Sequence, residues 1–168
     1  FLAKDAIGRE WQVATIQLDM NMPERFNLVC TGEDGKPERI VMIHAAIMGS
    51  IERFLSILIE HTAGTFPLWL SPVQIKILPV SEKFTAYAEH VQQILREHDI
   101  RATISDANET LGKRIREAEK EKIPCIIVVG EKEQTSQTVS MRISGVQGNA
   151  KPIDQCATTL AAKIKERK

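Results

Sequence analysis

Hydrophobic patterning changes style part-way along the chain. Residues 7–20 and 26–31 read as strands, Gly32-Glu33-Asp34-Gly35-Lys36-Pro37 as a hairpin turn, and residues 38–44 as the returning strand. After Gly49-Ser50 the apolar residues Ile51, Phe54, Leu55, Ile57, Leu58 and Ile59 cover most of a helix circumference, which predicts a helix buried on several sides, and Gly64 offers it a left-handed stop. The prolines of Thr65-Phe66-Pro67-Leu68-Trp69-Leu70-Ser71-Pro72 then interrupt helix, and the pattern restarts. Val73 to Val80 reads as a strand. Glu82 to Asp99 reads as a helix with Phe84, Tyr87, Val91, Ile94 and Leu95 on one face and Ser81 as its N-cap. A strand over Arg101 to Ser105, a helix over Thr110 to Lys122 and a strand over Pro124 to Val129 follow. The chain closes with a strand over Thr138 to Ser144 and a helix over Ile153 to Lys168, with Ile153, Ala157, Leu160, Ala161 and Ile164 inward. The expected fold class is α/β: an antiparallel sheet with one covering helix over residues 1–67, then an α/β domain with helices on both sheet faces over residues 68–168.

Composition adds limits. At 168 residues and 43% hydrophobic content, the chain can build one domain or two small ones with real cores. No apolar run approaches the roughly 18 residues of a membrane span, and no signal peptide opens the chain, which points to a cytoplasmic protein. The three cysteines, Cys30, Cys125 and Cys156, form no Cys-x-x-Cys and read as free thiols in a reducing compartment. A net charge of zero carries no gross nucleic-acid signal. The halves differ mildly: residues 68–168 hold 16 Lys+Arg against 13 Asp+Glu, while residues 1–67 hold 6 against 9.

Several polar residues stand where packing does not ask for them. Arg53 lies in the apolar helix, where a desolvated guanidinium needs an anionic partner. His44 ends the strand Arg39-Ile40-Val41-Met42-Ile43, where an apolar residue would be the natural continuation. In the second half, Asn108, the run Glu131-Lys132-Glu133, and Arg142 collect around strand ends, where open α/β sheets bind ligands. Lys113 and Arg116 share one face of the helix after Asn108, suitable for phosphates.

The run Ile43-His44-x-Ala46-Ile47-x-Gly49-Ser50-Ile51-Glu52-Arg53-Phe54 now becomes informative together with Trp11-Gln12-x-x-Thr15-Ile16-Gln17-Leu18-Asp19 and Met22-Pro23-Glu24-Arg25-Phe26. Together they resemble the threonyl-tRNA synthetases, class II aminoacyl-tRNA synthetases whose third motif ends in Glu-Arg at a strand-to-helix junction. The resemblance runs from Phe1 to Lys168. It implies the end of a class II catalytic domain, with its antiparallel sheet and motif-three helix, followed by a mixed-sheet α/β anticodon-binding domain. In such an enzyme Arg53 is the catalytic arginine at ATP, with Gln12 and Ser50 beside the nucleotide. Gln17 and His44 face threonine, and His44 is one of three ligands of a Zn2+ ion whose open positions take the amino acid. Asn108, Glu133 and Arg142 match positions that read anticodon bases, and their chemistry suits base edges.

The implied parent activates threonine with ATP and Mg2+ and passes it to tRNA(Thr), working as a cytoplasmic homodimer. The chain departs from the family at Ala45, where arginine is common, and at Val13-Ala14, where Cys-Gly is common, both near the amino-acid pocket. The first two catalytic motifs and the other zinc ligands are absent from these 168 residues. The expectation is therefore a C-terminal fragment, inactive alone but able to bind an anticodon arm. Two alternatives stay open: a non-catalytic anticodon-like accessory module, and a class II synthetase for proline, histidine or glycine.

Overall fold

The computed structural model describes residues 1–143 and 145–167. Ser144 and Lys168, which the pattern assigned to a strand end and a helix end, lie outside the described residues. Packing divides the chain into two units, Phe1–Ala63 and Gly64–Lys168.

The first unit is built from antiparallel ribbons. It runs β1 (Leu2–Lys4), β2 (Glu10–Gln12), β3 (Ala14–Asp19), α1 (Asn21–Arg25), β4 (Val29–Thr31), β5 (Pro37–Arg39), β6 (Met42–Ile47) and α2 (Ile51–Thr62). β1 pairs with β2, β3 with β6, and β4 with β5. The strand expected over residues 7–20 is thus two strands with different partners, broken at Val13. The returning strand is also two pieces, and β6 continues through His44 to Ile47, so His44 is a mid-strand residue and not the strand's end. The α1 turn went unseen because Pro23 and three polar residues give it no apolar face; Asp19 starts it by accepting the amide N–H groups of Asn21 and Met22.

α2 corrects two further expectations. Phe54, Ile57 and Leu58 are half-buried and line a pocket with Ala3 and Val13, whereas Ile51, Leu55 and Ile59 are each close to half exposed, so the helix is only partly covered, and on one side. Arg53 projects from the uncovered side and is exposed, so its guanidinium is not desolvated. The left-handed stop falls first on Ala63, at φ 50°, with Gly64 following at φ 74°.

The second unit is a five-stranded mixed sheet. Its elements are β7 (Ile75–Pro79), α3 (Thr85–Glu97), β8 (Ala102–Ile104), α4 (Leu111–Lys120), β9 (Cys125–Val129), α5 (Glu131–Ser136), β10 (Thr138–Ile143), β11 (Val146–Pro152) and α6 (Ile153–Lys165). The strand order is β11-β10-β9-β7-β8, with β7 parallel to β8 and β9, and β10 antiparallel to β9 and β11. Strands buried on both faces read as unbroken apolar runs, as in Cys125-Ile126-Ile127-Val128-Val129. Ile75, Ile77, Cys125, Ile127, Val129 and Val139 pack with Tyr87, Val91 and Leu95 of α3 and Ile153, Ala157 and Leu160 of α6. Leu78 and Ile126 point to the opposite face, against Ala118 of α4.

Here the patterning was closer to the outcome, with three differences. Glu82–Phe84 is a separate 3-10 turn before α3, and Ser81 caps it without a side-chain hydrogen bond. The segment after Gly130 is the helix α5 and not a loop. β11 was unseen because Gln147, Gly148 and Asn149 carry no apolar alternation; its pairing with β10 is what makes it a strand.

Candidate functional site

Two groups of candidate residues emerge, one in each unit. In the first, β3 and β6 pair so that Gln17 lies directly opposite His44, which puts both side chains on one face of the ribbon. Asp19 is two residues from Gln17 and shares that face. Its Oδ2 lies 3.0 Å from His44 Nε2, while Oδ1 accepts from the Asn21 and Met22 amides. The Met22 amide bond, with further hydrogen bonds from Asn21 and His44, overcomes partial burial and holds the Asp19 carboxyl below the usual carboxylate range. Gln17, Asp19, Asn21 and His44 line an open depression of about 580 Å³. Residue type alone gives Asp19 no role; its i, i+2 spacing from Gln17 is the sequence signal that puts it on the same strand face.

At the other end of the ribbon, Met48 and Gly49 adopt left-handed backbone, at φ 67° and 57°. This reverses the chain from β6 into α2 against the Gln12 backbone: a Cβ on Gly49 would stand 3.2 Å from the Gln12 carbonyl oxygen. Ser50 caps α2, accepting from the Arg53 amide at 3.5 Å and donating to Glu52 at 2.7 Å. That bond holds the Glu52 carboxyl below its ordinary value. The fold therefore brings the Gln12 backbone to the Gly49 turn, beside the helix N-terminus that Ser50 caps and whose first turn carries Arg53, a place suited to an anion. Gln17 and His44 lie three residue pairs, roughly 10 Å, from the Ala14–Ile47 end of the ribbon that leads into this turn. Among the described residues no three His, Cys, Asp or Glu side chains come together as a metal site. His44 with Asp19 is thus no zinc centre on its own.

The second unit brings Glu133 and Arg142 onto one surface. Glu133 lies in the first turn of α5, where Oε2 accepts from the buried Gly130 amide at 3.1 Å and Oε1 accepts from the Ser140 hydroxyl at 2.8 Å. Gly130 has no side chain to reciprocate, so this is half of a capping box. Arg142 is two residues beyond Ser140 on the same face of β10; its Nε donates to the Gly145 carbonyl and lies 3.7 Å from a Glu119 carboxylate oxygen of α4. Asn108 is exposed on the turn between β8 and α4, after the carboxyl end of β8. Lys113 is tied to Glu109 at 2.7 Å, whereas Arg116 is exposed. Sequence reasoning missed Ser140, which joins Glu133 to β10.

A family model described as the anticodon binding domain matches residues 74–163, more than half of the chain and the whole mixed sheet. A second, described as the class II tRNA synthetase core domain (G, H, P, S and T), matches residues 1–62. Among curated relatives, a threonine-tRNA ligase of Bacteroides thetaiotaomicron is 55% identical over 145 residues, covering 86% of this chain and 22% of that protein. Another, from Flavobacterium johnsoniae, is 50% identical, covering 99% of this chain and 26% of that protein. The chain belongs to the threonyl-tRNA synthetase family.

Within this class II synthetase family the chain spans about a quarter of the length of the curated relatives it matches, namely the end of the core and the anticodon-binding domain. A solved structure titled as the RNA binding domain of threonyl-tRNA synthetase from Cryptosporidium parvum Iowa II superposes with a TM-score of 0.84 at 34% identity, covering 96% of this chain and 41% of that one. Family membership gives the split architecture its meaning: ribbon and motif-three helix first, mixed sheet second. No helix among the described residues is long and apolar enough to cross a membrane.

Proposed function

We propose that residues 64–168 recognise the anticodon arm of tRNA(Thr), and that residues 1–63 supply motif three to a threonine-tRNA ligase. The observation that carries the first reading is that Ser140 and Arg142 share one face of β10 and Glu133 of α5 is bound to Ser140 there, within the segment matched to the anticodon-binding family. Asn108 joins it as an exposed amide able to pair with a base edge, and Glu133 and Arg142 offer an acceptor and a forked donor. Lys113 and Arg116 serve backbone phosphates. In the first unit, Arg53 meets ATP at the N-terminus of α2, with Gln12 and Ser50 beside it, and Mg2+ accompanies the nucleotide. An exposed guanidinium with no protein partner among the described residues supports that role. Gln17 and His44 face threonine, with His44 as one ligand of a zinc ion whose site these residues do not complete. The complete enzyme is read as a cytoplasmic homodimer.

The test is titration of a labelled tRNA(Thr) anticodon stem-loop, and of one with a changed anticodon base, into the 168-residue chain. Asn108→Ala and Arg142→Ala each weaken the cognate complex by about 1–3 kcal/mol and largely spare the other. Equal losses on both RNAs would make these residues backbone contacts and remove base recognition from the reading.

A further inference from the structure

Arg114, in the first turn of α4, is a charged side chain only 3% exposed. The partners that the structure gives it are backbone carbonyls: Nε donates to Glu109 O at 3.0 Å and Nη2 to Pro79 O at 2.8 Å. Its Nη1 is buried with no hydrogen-bond partner among the described residues. Sealing a guanidinium away from water is costly, and an apolar residue would hold α4 to the sheet without that cost. What an apolar residue could not do is bridge two carbonyls from different segments, which needs the rigid fork of arginine.

The two carbonyls come from informative places. Glu109 follows Asn108 in the turn that leads into α4, and its carbonyl is fixed through Arg114 Nε. Pro79 ends β7 and pairs in register with Val129, the residue before Gly130. The next residue, Val80, lies so close to Gly130 that a Cβ there would stand 3.1 Å from Val80 Cγ2. Gly130 is the residue whose amide is held by Glu133. One guanidinium thus ties the Asn108 turn to the strand end that borders the Gly130–Glu133 cap.

We propose that Arg114 is a positioning residue for anticodon reading: it fixes the Asn108 turn against the carboxyl end of β7, at a set distance from Glu133. The inference rests on the anticodon-binding reading given above. Arg114 touches no base; it acts through Asn108.

The test uses the 168-residue chain with a cognate and a base-substituted anticodon stem-loop, in a cycle of Arg114→Met, Asn108→Ala and the double variant. Arg114→Met is expected to lower the cognate-to-substituted affinity ratio by about tenfold, toward that of Asn108→Ala, and to add nothing in the Asn108→Ala background. Arg114→Lys keeps the charge but loses the fork, and carries the test if the methionine variant fails to fold. It should show the same loss of ratio, with faster amide hydrogen exchange confined to residues 105–110. An unchanged ratio, an equal loss on both RNAs, or additive losses in the double variant would each overturn the proposal. Wild-type chain that fails to discriminate the two RNAs would instead sink the anticodon reading, and this inference with it; discrimination retained in both wild type and variants sinks the inference alone.

Discussion

Replacing Glu133 separates what its carboxylate does for the fold from what it does for RNA. In the folded chain its two oxygens hold the Gly130 amide at 3.1 Å and the Ser140 hydroxyl at 2.8 Å, joining the end of β9, the start of α5 and β10. Glu133→Ala leaves the buried Gly130 N–H without its acceptor, a loss of about 1–3 kcal/mol. The half-buried Ser140 hydroxyl can turn toward water, so its loss adds less. The sum is about 1–3 kcal/mol, which for a unit of this size lowers its melting temperature by roughly 5–10 °C. Glu133→Gln keeps an oxygen for the Gly130 amide and a polar group for Ser140, so it should cost less than about 1 kcal/mol. Urea denaturation followed by circular dichroism measures both. If Glu133→Ala unfolds within about 0.5 kcal/mol of wild type, the capping argument is wrong, and the carboxylate is a surface group free for RNA alone.

Other outcomes follow from local geometry. Gly49→Ala places a Cβ 3.2 Å from the Gln12 carbonyl at a positive φ and should destabilise the first unit by about 1–2 kcal/mol; unchanged stability would mean that the turn relaxes freely. Under native conditions at pH 8, a thiol reagent should label Cys30 quickly and spare Cys125, whose thiol burial pushes up to about 12, and Cys156, shifted the same way by burial; rapid labelling of all three would contradict the packed core. Because Cys125 ionises more readily unfolded than folded, its contribution to stability is complete below about pH 8.5 and declines as pH rises toward the folded value. Asp19 has the opposite sign: its folded carboxyl titrates below the ordinary value, so its hold on α1 and His44 is present above about pH 4 and disappears as pH falls through the depressed value. Amide chemical shifts of Asn21 and Met22 that titrate at the ordinary carboxylate pH would refute that coupling.

The second unit was largely legible because burial on both sheet faces forces continuous apolar runs, and helices between them need one apolar stripe. Val91, Leu95, Ala157 and Leu160 all face the core as their spacing requires. The first unit was less legible. Its strands are short, partly uncovered and interrupted, so alternation in residues 7–20 could not reveal the break at Val13, nor could an apolar helix reveal which side is covered. Both α5 and β11 depend on neighbours: a six-residue helix held by a Glu133 cap, and a polar strand held by pairing with β10.

By itself, the sequence determined the identity of the chemistry-bearing side chains, the alternation of strand and helix after residue 72, and the family to which the Ile43–Phe54 run points. Those are local properties, written in residue type and spacing. Tertiary structure alone decided which of these side chains meet. It placed Gln17 opposite His44 through strand register, gave Asp19 to His44, occupied both oxygens of Glu133, and left Arg53 in the open although its helix is apolar. It also turned Arg114, which reads as one more helix cation, into a buried clamp between two segments 30 residues apart, Pro79 and Glu109. Such pairings arise from register and packing between distant segments, and no local window of sequence contains them.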